Sequence, residues 1–228
     1  RVISVDDLPD GWLGKPNACH QGATAAAGDW LLFTDADTKH TPGGLADVVK
    51  YALDNQLDGL TCYLPHNTFG RLDGLALTAA YAGLFAGLPQ RSTAMNGQYV
   101  LLRRDVYEQS GGFVAVRNEP MEDLAMGFHL YDLGYEVPVL RGDDIAEVAM
   151  YQSVRELWHG MTRISAGSLR WSGIGSLISV LLITALMTPL VTVRLVLTRQ
   201  LPARWIWVTW ATAVAGAWPW SKRFGLHW

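Results

Sequence analysis

Trp30-Leu31-Leu32-Phe33-Thr34-Asp35-Ala36-Asp37, residues 30–37, is the stretch on which the fold turns. A short apolar run ends abruptly in two carboxylates one residue apart. Such a run is the pattern of a strand buried on both faces of a parallel sheet. In open α/β sheets, ligands collect at the carboxyl ends of strands, which is where these acids stand. Side chains alternate with period two, so Asp35 and Asp37 are expected to project to the same side. Two neighbouring carboxylates repel each other unless a cation lies between them. Hard oxygen donors suit Mg²⁺ or Mn²⁺, which bridges to a substrate's phosphates. Asp35 and Asp37 are thus candidate metal ligands, with a divalent cation as the expected cofactor. A solvated acidic turn has the same letters; the position after an apolar strand argues for the site.

Outward from this strand, the chain alternates strand and helix, which makes the fold class α/β. Val2-Ile3-Ser4-Val5 reads as a strand already under way in a fragment whose beginning is missing. Lys15–Ala27 reads as a helix, Gly43–Gln56 as another, and Gly59–Leu64 as a strand. Residues 72–88 read as a helix, Tyr99–Leu102 as a strand, Asp105–Ser110 as a short helix and Gly111-Gly112 as a turn. Pro120 opens a helix running to about Leu133 and stopping at Gly134.

A second acidic cluster, Glu119-Pro120-Met121-Glu122-Asp123, opens that helix. The macrodipole favours acids in a first turn, and that alone accounts for some of them. Three acids in five residues exceed that need, and a carboxylate held there can accept a proton from an incoming hydroxyl. Lys15, in Gly14-Lys15-Pro16-Asn17, is either a solvated surface lysine or a neutraliser of phosphate charge. Arg155, in Tyr151-Gln152-Ser153-Val154-Arg155, can hold a diphosphate by paired hydrogen bonds or lie at a membrane surface. The six histidines show no ligand spacing.

The chain has 228 residues and a formal net charge of −3, against the basic excess of a nucleic-acid binder. Two cysteines, Cys19 and Cys62, make neither a CxxC pair nor a disulfide framework. The average charge hides a division: residues 1–150 hold 10 basic and 20 acidic side chains, residues 151–228 hold 8 basic and one acidic. Seven of the ten tryptophans lie at or beyond Trp171. A basic, tryptophan-rich tail is the composition of a membrane-attached segment. Within it, residues 151–170 read as an amphipathic interfacial helix. Residues 171–193 are free of charge and long enough to span a bilayer, and residues 205–220 form a second apolar segment. The expected layout is a globular domain over 1–150, the interfacial helix, and a transmembrane region over 171–228.

Taken together, Gly14-Lys15 through Gly22, Asp35-Ala36-Asp37, Asn96-Gly97-Gln98 with Arg103-Arg104 and Gly111-Gly112-Phe113, and Glu122-Asp123 resemble family 2 glycosyltransferases. These are inverting, nucleotide-sugar-dependent enzymes with a GT-A fold, a mixed sheet flanked by helices. Leu8-Pro9-Asp10-Gly11-Trp12-Leu13-Gly14-Lys15 and the Met150-Tyr151 stretch look most like the hopene-associated and carotenoid glycosyltransferases. The resemblance covers about residues 1–165 and implies an N-terminally truncated catalytic domain with C-terminal membrane helices. It implies that Asp35 and Asp37 are the DxD pair and that Asp123 is the catalytic base. It implies that Lys15, Asp35, Asn96, Gly97, Glu122, Gln152, Arg155 and Trp158 bind substrate. Gln152 and Arg155 are similar to the start of a QxxRW motif, but Glu156 stands where its tryptophan belongs and the nearest is Trp158.

The implied function is transfer of a sugar from a nucleotide-diphosphate donor to a hydroxyl on a lipid-linked or polyprenoid acceptor. The domain is expected to face the cytosol at the cytoplasmic membrane, because the donor is there. Rival readings are a processive polysaccharide synthase, which Glu156 weakens, and a non-catalytic membrane-anchored binding protein. A haloacid-dehalogenase-type phosphotransferase needs Thr or Val where this chain has Lys39.

Overall fold

The computed structural model describes residues 2–5, 7–66, 93–149 and 191–224, with isolated positions at 151, 153, 156, 159, 160, 188 and 189. The chain divides into two compact units, Arg1–Asn67 with Gln90–Met150, and Thr68–Pro89 with Tyr151–Trp228.

In the first unit, helix α1 (Gly14–Ala25) leads into strand β1 (Trp30–Thr34), strand β2 (Thr38–His40), helix α2 (Gly44–Asp54) and strand β3 (Gly59–Tyr63). Strand β4 (Tyr99–Arg103) follows, then helices α3 (Arg104–Gln109), α4 (Gly112–Ala115) and α5 (Glu122–Asp132), and strands β5 (Val139–Arg141) and β6 (Ala146–Val148). Four strands form one sheet in the order β1-β4-β3-β5, and β2 pairs with β6 in a second. The larger sheet is mixed: β4 runs antiparallel to β1 and β3, while β3 and β5 are parallel. A mixed sheet flanked by helices fits a GT-A-like architecture.

The two central strands are buried nearly throughout, and their side chains make the core. Leu60, Cys62, Leu64, Tyr99 and Leu101 pack with Val48 and Ala52 of α2 and with Val148 of β6. Val48 and Ala52 are four residues apart, so one stripe of α2 faces the sheet. On β1, Trp30 and Leu32 pack against this core. Phe33 faces the other way, its ring 5.0 Å from Phe113 in an edge-on contact and 5.5 Å from Tyr107. An apolar run thus reports covered faces, not the direction of the neighbouring strand. This is why β1, expected in a parallel sheet, pairs antiparallel with β4, Thr34 opposite Tyr99.

Other expectations change too. Residues 2–5 form no strand, and Val2 is exposed; extended chain without a ladder partner has nothing to hold it in a sheet. The helix expected from Pro120 begins at Glu122, because Pro120 and Met121 still belong to the preceding turn. Strands β2, β5 and β6 have three residues each, too few to show a period of two. The expected helix over 72–88 lies outside the described residues. So do most of the interfacial helix over 151–170 and the greater part of the span over 171–193.

The second unit contains helix α6 (Arg204–Phe224), which takes in the apolar segment 205–220 and continues past Pro219. Among the described residues, no helix is long and apolar enough to cross a membrane. The reason in α6 is composition. Tryptophan, threonine, alanine and glycine replace the Leu/Ile/Val run of a span, and Trp205, Trp207 and Trp218 are exposed.

The packing makes a direct prediction. Leu101 is 1 % exposed at the centre of the sheet. Leu101→Ala should lower the unfolding free energy by about 2–5 kcal/mol in a urea titration.

Candidate functional site

Three backbone ends meet above the Phe33 face of the sheet: the end of β1, the first turn of α1 and the first turn of α5. The Nζ of Lys15 lies 2.8 Å from Oδ1 of Asp35 and 2.8 Å from Oε1 of Glu122. One ammonium therefore ties the acid after β1 to the acid that opens α5. The start of α1 is anchored from outside the helix, by the Leu13 N–H donating to the Arg117 carbonyl at 2.8 Å. A cation in a helix's first turn opposes the macrodipole, and here two carboxylates compensate for it.

Asp123, next to Glu122, is half-buried. Its Oδ2 accepts the Gly97 N–H at 2.9 Å and its Oδ1 accepts the Leu124 N–H at 2.8 Å. A Cβ on residue 97 would lie 3.0 Å from that Oδ2 and 3.1 Å from the Lys15 Nζ, so only glycine brings its amide this close without displacing both groups. Lys15, Asp35, Gly97, Glu122 and Asp123 are thus one constellation. Beneath it lies an apolar pocket walled by Cys19, Phe33, Val100, Phe113 and Met126.

The electrostatics follow from this crowding. Burial raises the Asp123 carboxyl above the usual aspartate range, and the Glu122 charge raises it further; the two backbone N–H groups and Lys15 pull the other way without cancelling the rise. Burial would lower the Lys15 ammonium, but the Glu122 charge and hydrogen bonds to both carboxylates outweigh it and raise its pKa. The stabilisation from Lys15 is therefore complete below the ordinary lysine pKa and is lost only as pH rises through the raised value. Asp123 has the opposite sign. Its native form holds a proton at a pH where the unfolded chain has released it, so this group destabilises the fold as pH rises through that window. Burial pushes the Cys19 thiol up to about 11, which keeps it protonated at neutral pH and removes it as a nucleophile.

The remaining expected residues divide. Asp37 does not join Asp35: the Thr38 N–H donates to the Asp35 carbonyl at 3.2 Å, closing a turn that ends the period-two alternation. Asp37 is exposed and makes no ion pair among the described residues. Asn96 is turned inward, its side-chain N–H groups donating to the Cys62 carbonyl at 3.2 Å and the Gln98 Oε1 at 3.0 Å. It holds the loop that presents Gly97. Gln152, Arg155 and Trp158 lie outside the described residues. Cys19, which has no partner cysteine in the sequence pattern, stands four residues after Lys15 on the same helix face and lines the pocket.

Among the described residues, no group of three or more His, Cys, Asp or Glu is placed to hold a metal. The donor set fits a weaker requirement. Mg²⁺ takes only one or two protein carboxylates when phosphates and waters complete its shell, and Asp35, with one oxygen on Lys15, has a second oxygen to offer. The N-termini of α1 and α5 also favour anionic charge in this region.

A family described as glycosyl transferase family 21 matches residues 2–223. The 4,4'-diaponeurosporenoate glycosyltransferases of Staphylococcus aureus strains bovine RF122 / ET3-1 and USA300 are each 25 % identical over 182 residues, 74 % of this chain and 48 % of theirs. The chain spans about half the length of the curated relatives it matches. The motifs pointed to a glycosyltransferase family, and a glycosyltransferase family is what matches.

Removing the bridging ammonium should expose what it neutralises. Lys15→Met leaves the Glu122 side chain, 10 % exposed, without its cation. The variant should lose about 1–2 kcal/mol of stability at neutral pH, less than for a fully buried pair because Lys15 is half exposed. Urea unfolding of the wild type and the variant at pH 7 measures the difference.

Proposed function

The chain belongs to glycosyl transferase family 21, and we propose that it moves a sugar from a nucleotide-diphosphate donor to a hydroxyl on a lipid-like acceptor, with inversion at the anomeric carbon. The observation that carries this reading is that Lys15, Glu122 and Asp123 line one pocket, with Asp35 paired to Lys15 beside it. A diphosphate leaving group needs positive charge, which Lys15 and the two helix N-termini supply. A divalent cation on Asp35 and Asp37, when bound, would add Lewis-acid stabilisation of the departing diphosphate. An acceptor hydroxyl needs a base, and Asp123 is the carboxylate held at fixed orientation by two backbone N–H groups. Its raised pKa brings it nearer the working pH, which makes it the stronger base while still ionised. A single displacement needs one base and no protein nucleophile, and the site offers no activated thiol.

The acceptor class rests on two supports. The matching relatives are named for 4,4'-diaponeurosporenoate, an apolar acid. In this chain, the basic tail and the exposed Trp205, Trp207 and Trp218 of α6 suit an interface between water and lipid. We place the protein at the cytoplasmic membrane, the catalytic domain toward the cytosol where nucleotide sugars are made. Gln152, Arg155 and Trp158 are proposed donor contacts on the strength of the motif alone.

Asp123→Asn should lower transfer by about 10²–10⁴-fold while donor affinity, measured by calorimetry, stays within a few-fold. Transfer at the wild-type rate would remove Asp123 as the base. In the wild type, the acidic limb of the rate profile should fall above the ordinary aspartate pKa of about 3.9, in the direction of the Asp123 shift. Chelation of divalent cations should stop transfer, and added Mn²⁺ or Mg²⁺ should restore it.

A further inference from the structure

The Gly97 amide that orients Asp123 sits on a turn that is not part of any ladder. The β3–β4 pairing ends with Thr61 opposite Val100, and the residues before Tyr99 curve away from β3. Past that point, the Thr61 side chain replaces the missing backbone partners. Its hydroxyl accepts the Asn96 N–H at 2.9 Å and faces the carbonyls of Asn96 and Tyr99, each at 3.1 Å, as donor. Thr61 is fully buried, so water cannot substitute for it. The turn itself is closed by the Tyr99 N–H on the Asn96 carbonyl at 3.2 Å. Asn96, pinned at both its N–H and its side chain, therefore sets where the next residue's amide points, and that amide is Gly97. On the other side, Gly127 lets α5 approach the Thr93 carbonyl and the Met95 side chain more closely than any Cβ would permit. Asp123 and Gly97 are thereby held against each other from both directions.

We propose that Thr61 is a positioning residue for the transfer reaction, acting through Asn96 and the Gly97 N–H to fix the Asp123 carboxylate in its reactive orientation. This rests on the reading of Asp123 as the base. Thr61 reaches neither Lys15 nor Asp35, so its hydroxyl should matter for turnover and not for donor binding. Misplacement of a reacting group by about 1 Å can cost on the order of 10²-fold in rate.

The test compares Thr61→Val, which removes the hydroxyl at nearly constant shape, with Thr61→Ser, which keeps it, in the full-length chain. Turnover is followed with the fastest of UDP-glucose, GDP-mannose and dTDP-rhamnose, and exchange of the Gly97 amide proton by NMR. The expected result for Thr61→Val is a kcat lowered about 10–100-fold at unchanged donor KM. Gly97 exchange should be at least about tenfold faster, while Leu60 and Leu101 keep their protection. Thr61→Ser should restore both. If Thr61→Val fails to fold, Thr61→Ala against Thr61→Ser isolates the same hydroxyl. Unchanged Gly97 exchange without the hydroxyl, a change in KM instead of kcat, or equal losses in the serine variant would overturn the proposal. Failure of the base reading looks different, because Asp123→Asn would then turn over normally whatever Thr61 does.

Discussion

An ammonium in the first turn of a helix stands at the wrong end of the macrodipole, and the arrangement around Lys15 is what makes it tolerable. Two carboxylates, from the end of β1 and the start of α5, each lie 2.8 Å from its Nζ. Without that ion there would be two acids facing each other in a partly buried space. With it, a strand end and two helix N-termini are drawn to one place, and the backbone of each aims polar groups at the same region. The site is thus assembled by charge balance before any ligand enters.

Asp123 occupies the costly position in this balance. Its neighbour Glu122 repels it and burial disfavours its charge, yet two backbone N–H groups keep it oriented. The fold gives up some stability at neutral pH to hold a carboxylate that is eager for a proton. A group that served only structure would be better neutral or exposed. Strain of this kind gathers at sites where reactivity is selected over stability.

How far all this was legible in the chain depended on the range of the interactions. β1, β3 and β4 could be read because apolar runs bounded by polar residues report burial directly, and their limits agree within a residue. The three-residue strands could not, since pairing there comes from tertiary contacts between residues such as Thr38 and Val148, with no local pattern. Asp35 and Asp37 looked equivalent by period, and a single backbone hydrogen bond separates them. Asn96 and Gly97 looked alike as loop residues, although one faces inward to Cys62 and the other faces Asp123. That distinction depends on partners some thirty residues away, and no spacing rule encodes it. Lys15 was open to two readings; its place at a helix start, where a cation needs compensation, was the available sign that acids would be found beside it.

The proposed transfer requires a divalent cation and Asp123 to share one pocket. The most direct measurement is paramagnetic broadening of backbone amide signals by Mn²⁺ with UDP in the full-length chain. Strong broadening of Lys15, Gly97 and Leu124, lost in Asp35→Asn, is the predicted result. Broadening elsewhere that leaves Gly97 and Leu124 sharp would contradict it, because the metal and the base would then belong to different places.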